Sequence, residues 1–272
     1  MNDILVTIIL GIVEGITEFV PVSSTGHLIA LRNLLDFHPP GAESFTIFIQ
    51  VGAICAIFFF YKERFIKLLD FSDPAPLSGF RGMGLIVLGC IPAGLAGFFL
   101  HGIISEYFLG ADRQAVMLVA AALITGGVAM FLIEPWYEKR EHLRMPLEAS
   151  LTYSKALLIG CFQTLALWSG MSRSGSTIMG GMLMGLKRRD AAEFSFLLAA
   201  PIMFGATALD LYKNFDVLAE FSFTIFAVGF VTAFFSGLLA IRFLLGYLAK
   251  HSLRAFGVYR IALGLLLIFS VR

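Results

Sequence analysis

Glu14 and Glu18 stand four residues apart in ILVTIILGIVEGITEFVPVSSTGHL, a stretch that is otherwise mostly apolar up to Pro21. On a helix that spacing puts both carboxylates on one face. Two like charges so placed repel unless something positive lies between them. At membrane depth an ionisable side chain costs about 2.5 kcal/mol or more, so each is a candidate functional group. The plainer alternative is a helix end wetted at the membrane interface. A divalent cation held by hard oxygens is the sharper reading, and Mg²⁺ or Ca²⁺ suits it better than a thiolate-seeking metal. Ser23, Ser24, Thr25 and His27 follow directly after Pro21. One hydroxyl there can cap a helix, but capping does not need three and a histidine. The near-neutral imidazole of His27 suits a general acid or base. A neighbouring Ser24 or Thr25 can then serve as nucleophile.

The complementary charge comes from SRSGST, Ser172 to Thr177. Arg173 is the only basic residue between Lys155 and Lys187 and sits deep in apolar sequence. Its planar fork matches phosphate oxygens in two-point contact. The hydroxyls of Ser172, Ser174 and Thr177, with backbone N–H groups at a helix start, make an anion cradle that Ser23 and Thr25 complete. GxxxxGK[ST] is absent, so no nucleotide is implied. A cation site on Glu14 and Glu18, a hydroxyl nucleophile, a proton shuttle and an arginine clamp together suit metal-assisted phosphoryl hydrolysis. Because these groups lie in greasy sequence, the phosphate should belong to a lipid.

The elements that must position them are membrane elements. The 272-residue chain is 58% hydrophobic and only 14% charged, against about 25% charged residues in a soluble domain. That deficit, spread over runs of spanning length, reads as an integral membrane protein. The basic residues are scattered between apolar runs at a net charge of +1, so nothing points to nucleic acid. Cys55, Cys90 and Cys161 fall in apolar segments and read as small buried hydrophobes, not a disulfide. The N-terminus has no basic leader and is expected to be retained.

Six runs have the length of a span: about 45–61, 82–100, 115–133, 191–210, 222–245 and 255–271. Two regions, 4–35 and 156–186, hold shorter apolar stretches broken by polar, Gly-containing turns. Such segments suit re-entrant helical hairpins. A slide of 149 residues lays Gly11 on Gly160, Glu14 on Gln163, Ser23 on Ser172 and Gly26 on Gly175. Each half, 1–140 and 141–272, reads as one hairpin followed by three spans. Three is odd, so the halves face opposite ways. The expected fold is therefore all-α, six transmembrane helices plus two re-entrant hairpins in an inverted-topology repeat. With the first hairpin entering from outside, segments 62–81, 134–155, 187–190 and 246–254 carry thirteen Lys and Arg on the inner side. Arg32, Arg113, Lys213 and Arg272 lie outside. The positive-inside rule favours that orientation, with both chain ends external. Gly94, Gly97, Gly126, Gly127, Gly180, Gly181 and Gly237 permit close contact, either between helices or between subunits of a homodimer.

With the acidic pair, PVSSTGHL, SRSGST and the KRRDAAEFSFLLAAP stretch in view, the sequence closely resembles the bacterial undecaprenyl-diphosphate phosphatase family of the bacitracin-resistance type. The resemblance covers essentially the whole chain. It implies hydrolysis of a polyprenyl diphosphate lipid to the monophosphate carrier used for peptidoglycan, a divalent-cation requirement, and bacitracin resistance. It also implies an inner-membrane location with the active site facing the periplasm. Glu14 and Glu18 fall on the family's acidic pair, Ser23, Ser24, Thr25 and His27 on its first hydroxyl–histidine motif, and Ser172 and Arg173 on its second. Ser169 stands where that motif usually has proline. The competing class is a lipid-phosphate flippase, which would bind the headgroup in the same pocket and need no nucleophile.

Overall fold

In the computed structural model, residues 3–35, 37, 41–108, 113–140, 144–214, 216 and 222–270 are described. The chain is built of helices. The first hairpin comprises α1 (Asp3–Phe19) and α2 (Ser24–Leu34). After it come α3 (Ala42–Phe60), α4 (Lys62–Leu68), α5 (Gly79–Phe108) and α6 (Arg113–Glu138). The second half opens with α7 (Leu147–Ser150) and α8 (Tyr153–Gln163), which tightens into a 3₁₀ turn over Thr164–Leu167. It continues with α9 (Arg173–Leu183), α10 (Arg188–Lys213), α11 (Phe223–Leu248) and α12 (Arg254–Ser270).

Among the described residues, four helices are long and apolar enough to cross a membrane: α5 over Gly79–Leu100, α6, α10 and α11. A fifth crossing is added if α3 and α4, bent by 74° at their junction, count as one. The last of the six expected runs forms α12, a helix of 17 residues that carries Arg254 and Arg260. At 1.5 Å per residue it falls just short of the hydrocarbon thickness.

Each expected hairpin is a pair of helices folded back on each other. Leu28, Leu31 and Leu35 share one apolar cluster with Val6 and Leu10, so α2 returns along α1. In the second pair, a Cβ on Gly180 would lie 2.8 Å from Phe162, which shows how tightly α9 lies on α8. The entry arms exchange halves. α1 packs on α11, with the Ser236 hydroxyl donating to Gly11 O at 3.3 Å. α8 packs on α5, with Gln163 Nε2 donating to Gly89 O at 3.3 Å. α6 and α12 pack together at Gly127 and Gly257, where an added Cβ would come within 3.0 Å of the facing carbonyl. Gly94 and Gly97 make no such approach: the first has open space and the second only Leu167 at 3.6 Å. The cysteines are free, and Cys161 is exposed, not buried.

The basic segments gather at one end of the bundle. Arg64 pairs with Glu148 and, at 2.9 Å, with Glu193. Arg188 pairs with the fully buried Glu134, and Arg254 with Glu138 at 2.9 Å. In the loop at this end Asp73 accepts from Ala75 N–H and the Ser78 hydroxyl, both at 2.9 Å. Those two donors hold its carboxyl below the ordinary aspartate value.

Candidate active site

Both hairpins turn through a serine in a conformation that L-residues avoid. Ser23 has φ 75° and Ser172 φ 71°; they are the only non-glycine residues with positive φ among those described. Such a conformation costs of the order of 1–3 kcal/mol and persists where surrounding contacts enforce it. Each serine starts an eleven-residue helix. Each offers its hydroxyl to the N–H three residues on, Gly26 at 3.3 Å and Gly175 at 3.2 Å. These two serines are the pair that the 149-residue slide superposes.

The two turns meet. Ser174 Oγ donates across to Val20 O at 3.4 Å. Beside this contact lies a cavity of about 210 Å³. Its polar wall is Thr17, Glu18, Ser23, Ser24, Thr25, Gln50, Ser172 and Arg173. Its apolar wall is Ala166, Ile202, Met203 and Ala206. Glu18 is the hub. Its Oε1 accepts from Arg173 Nη2 at 2.9 Å, and its Oε2 accepts from the Ser24 hydroxyl at 2.7 Å and from Gln50 Nε2 at 3.4 Å. Arg173 Nη1 also donates to Ser195 O at 3.2 Å, while its buried Nε has no partner among the described residues. An arginine held at its tip with one donor free is ready to take an oxyanion.

Other expected site residues stand behind this wall. Glu14, 1% exposed, lies one turn before Glu18 and does not line the cavity. Among the described residues its buried Oε2 has no hydrogen-bond partner. Ser174 braces the two turns. Thr177 donates to Arg173 O at 2.8 Å and pairs with the Ser195 hydroxyl at 2.6 Å, supporting the helix start that carries the arginine. His27 is not on the wall either. Its Nδ1 sits 2.7 Å from Ser23 O, so Nδ1 carries the proton, and Nε2 accepts from the Tyr259 hydroxyl at 2.6 Å. The two rings stack nearly parallel, with centroids 5.5 Å apart.

For a divalent cation, the donors are hard oxygens of the right kind: the Glu18 carboxylate and the orphaned oxygen of Glu14. Among the described residues no three His, Cys, Asp or Glu side chains gather into a metal cage. A pair of carboxylates with the remaining positions left to water and phosphate is how Mg²⁺ is usually held, so the residues fit the ion.

Sequence reasoning passed over Gln50, Ser195, Met203, Tyr259 and Arg260. The first two are single neutral polar residues in apolar runs, a weak signal. Arg260 carried the same strong signal as Arg173, a lone cation inside an apolar run.

The fold and the site define a multi-pass membrane protein with a buried pocket suited to an oxyanion. The chain belongs to the BacA family, described as bacitracin resistance protein BacA, whose model matches residues 7–266. It is 43% identical over 262 residues to the undecaprenyl-diphosphatase of Methylobacillus flagellatus, a match that takes in 96% of this chain and 95% of that protein. The family resemblance expected from the motifs is thereby borne out.

Proposed function

We propose that this protein hydrolyses undecaprenyl diphosphate to undecaprenyl phosphate and inorganic phosphate, recycling the carrier lipid for envelope polymers. The observation that carries the reading is the convergence of Ser24 and Arg173 on the two oxygens of one carboxylate, Glu18, in a cavity with an apolar side. The family membership and the relative's name supply the substrate.

The terminal phosphate enters beside Arg173, whose guanidinium takes two of its oxygens and leaves Glu18. Glu18 accepts the proton of Ser24 Oγ on Oε2, the oxygen to which that hydroxyl already donates. That oxygen attacks the terminal phosphorus, the bond to the bridging oxygen breaks, and undecaprenyl phosphate departs. Water then hydrolyses the phosphoserine, releasing phosphate and returning the proton to Ser24. Direct attack by water activated at Glu18 is the competing route. His27, with both nitrogens engaged, holds the Ser23 carbonyl and so the strained turn. Glu14 and Glu18 would hold Mg²⁺ or Ca²⁺, which when bound neutralises pyrophosphate oxygens. Ile202, Met203 and Ala206 face the lipid end of the substrate.

In this reading the two hairpins are re-entrant and belong to an inverted repeat, 1–140 and 141–272. The Arg- and Lys-rich end lies in the cytoplasm and the cavity opens to the periplasmic side of the inner membrane. The exchanged packing of α1 and α8 and the paired Ser23 and Ser172 turns support it. The test is phosphate release from C55 diphosphate by purified protein in detergent, with and without chelator. Detergent offers no second compartment, so a flippase would release nothing there. Absence of release would end the enzymatic reading.

A further inference from the structure

Arg260 on α12 is fully buried and is the largest side chain so enclosed among the described residues. Among the described residues it forms no ion pair. Its donors go to four backbone carbonyls instead: Nε to Leu123 O at 3.3 Å, Nη2 to Ala122 O at 3.2 Å and to Gly170 O at 3.0 Å, and Nη1 to Pro21 O at 3.3 Å. Leu123 and Ala122 anchor the guanidinium to α6. Pro21 and Gly170 belong to the two hairpin turns, and they are equivalent positions, 149 residues apart like Ser23 and Ser172. One side chain therefore touches the same carbonyl in both turns.

Pro21 lies just past the end of α1, and Gly170 just past the 3₁₀ turn that ends the first arm of the second hairpin. Helix C-termini carry negative partial charge, which stabilises a cation that has no carboxylate. Only a planar fork with five N–H donors reaches four acceptors in three directions; an ammonium group does not. The surroundings are cut to fit. A Cβ on Gly126 would stand 2.2 Å from Arg260 Nη2, and one on Gly170, at φ 99°, would stand 2.6 Å from Val119 O.

We propose that Arg260 is the positioning residue that sets the separation of the two hairpin turns, so that Glu18 from one and Arg173 from the other face the same cavity. Its effect on turnover rests on the function proposed above; its effect on the turns does not. It acts through the Pro21 and Gly170 carbonyls and never meets the substrate.

Two measurements on full-length protein in detergent test this, comparing wild type with Arg260→Lys. Amide hydrogen exchange should accelerate together in the segments around residues 20–26 and 169–175, while α5 and α11 keep their protection. The kcat for phosphate release should fall about 10²-fold, the loss expected from a misplacement of about 1 Å, with KM changed far less. Protection of both turns at the wild-type level, loosening of one turn alone, or loosened turns with undiminished kcat would each overturn the proposal. If Arg260→Lys does not purify as folded protein, Gly126→Ala pushes the guanidinium aside from α6 and is read by the same two measurements. A wild-type protein that released no phosphate would defeat the functional reading, and the exchange data alone would then decide whether Arg260 positions the two turns.

Discussion

Arg173 and Glu18 are 155 positions apart in the chain and 2.9 Å apart in space, with side chains 12% and 7% exposed. Each is the counter-ion of the other, and removing one leaves a buried charge uncompensated. The pair also does more than neutralise. Glu18 also holds the Ser24 hydroxyl on its second oxygen, so one carboxylate ties the arginine of the second hairpin to a hydroxyl of the first.

Arg173→Lys is therefore not a conservative change. It keeps the charge but loses the fork and the contact to Ser195 O. The expected result is a fall in kcat of about 10²–10³-fold, the usual loss when one stabilising donor is removed. Steady-state phosphate release checks it; a loss under about tenfold would remove the clamp from the mechanism.

Ser24 rather than Ser23 is the expected nucleophile, because Ser23 Oγ already accepts from Gly26 N–H and sits in the strained turn. Rapid acid quench with lipid diphosphate labelled in its terminal phosphate should leave label on Ser24. Ser24→Ala should abolish that adduct. Turnover without any adduct would favour direct attack by water.

His27 separates a positioning role from a direct proton transfer. Asn at this position still presents an N–H toward Ser23 O but cannot titrate near neutrality. His27→Asn is expected to retain activity within about tenfold and to keep the shape of the wild-type pH–rate profile. Loss of one limb of that profile would return the proton to the imidazole.

Much of this site was legible because charge in an apolar run is costly, which made Glu14, Glu18 and Arg173 conspicuous. The 149-residue correspondence named Ser23 and Ser172 before their shared backbone conformation could be seen. What sequence could not supply was facing. Glu14 and Glu18 do share a face of α1, yet only Glu18 reaches the cavity. His27 stands three residues after Ser24 and points to Tyr259 instead. Gly94 has the composition of a helix contact, yet among the described residues nothing approaches it, and Gly97 meets only Leu167. Gln50 was hidden because a neutral amide carries little cost.

Glu14 carries the cation prediction. Its buried Oε2 has no partner among the described residues, which in a native structure asks for a ligand or a proton. Titration calorimetry of the substrate-free protein with Mg²⁺ or Ca²⁺ should show binding that Glu14→Gln weakens by at least about tenfold. Equal binding by both proteins would move the ion, if any, away from this carboxylate.

The far end of the bundle should fail differently. Glu134 is fully buried, and its carboxylate takes Arg188 on both oxygens and the N–H of Leu253 at 2.6 Å. It ties α6, α10 and the start of α12 together, well away from the Ser23 and Ser172 turns in sequence. Glu134→Ala leaves the Arg188 guanidinium and the Leu253 N–H without their acceptor, a change that costs about 3–5 kcal/mol in comparable buried pairs. Thermal unfolding in detergent should show that loss, whereas kcat per folded molecule at low temperature should stay within about threefold of wild type. Because α12 also carries Arg260, a large drop in kcat with unchanged stability would mean that this pair governs the turns and not merely the integrity of the bundle.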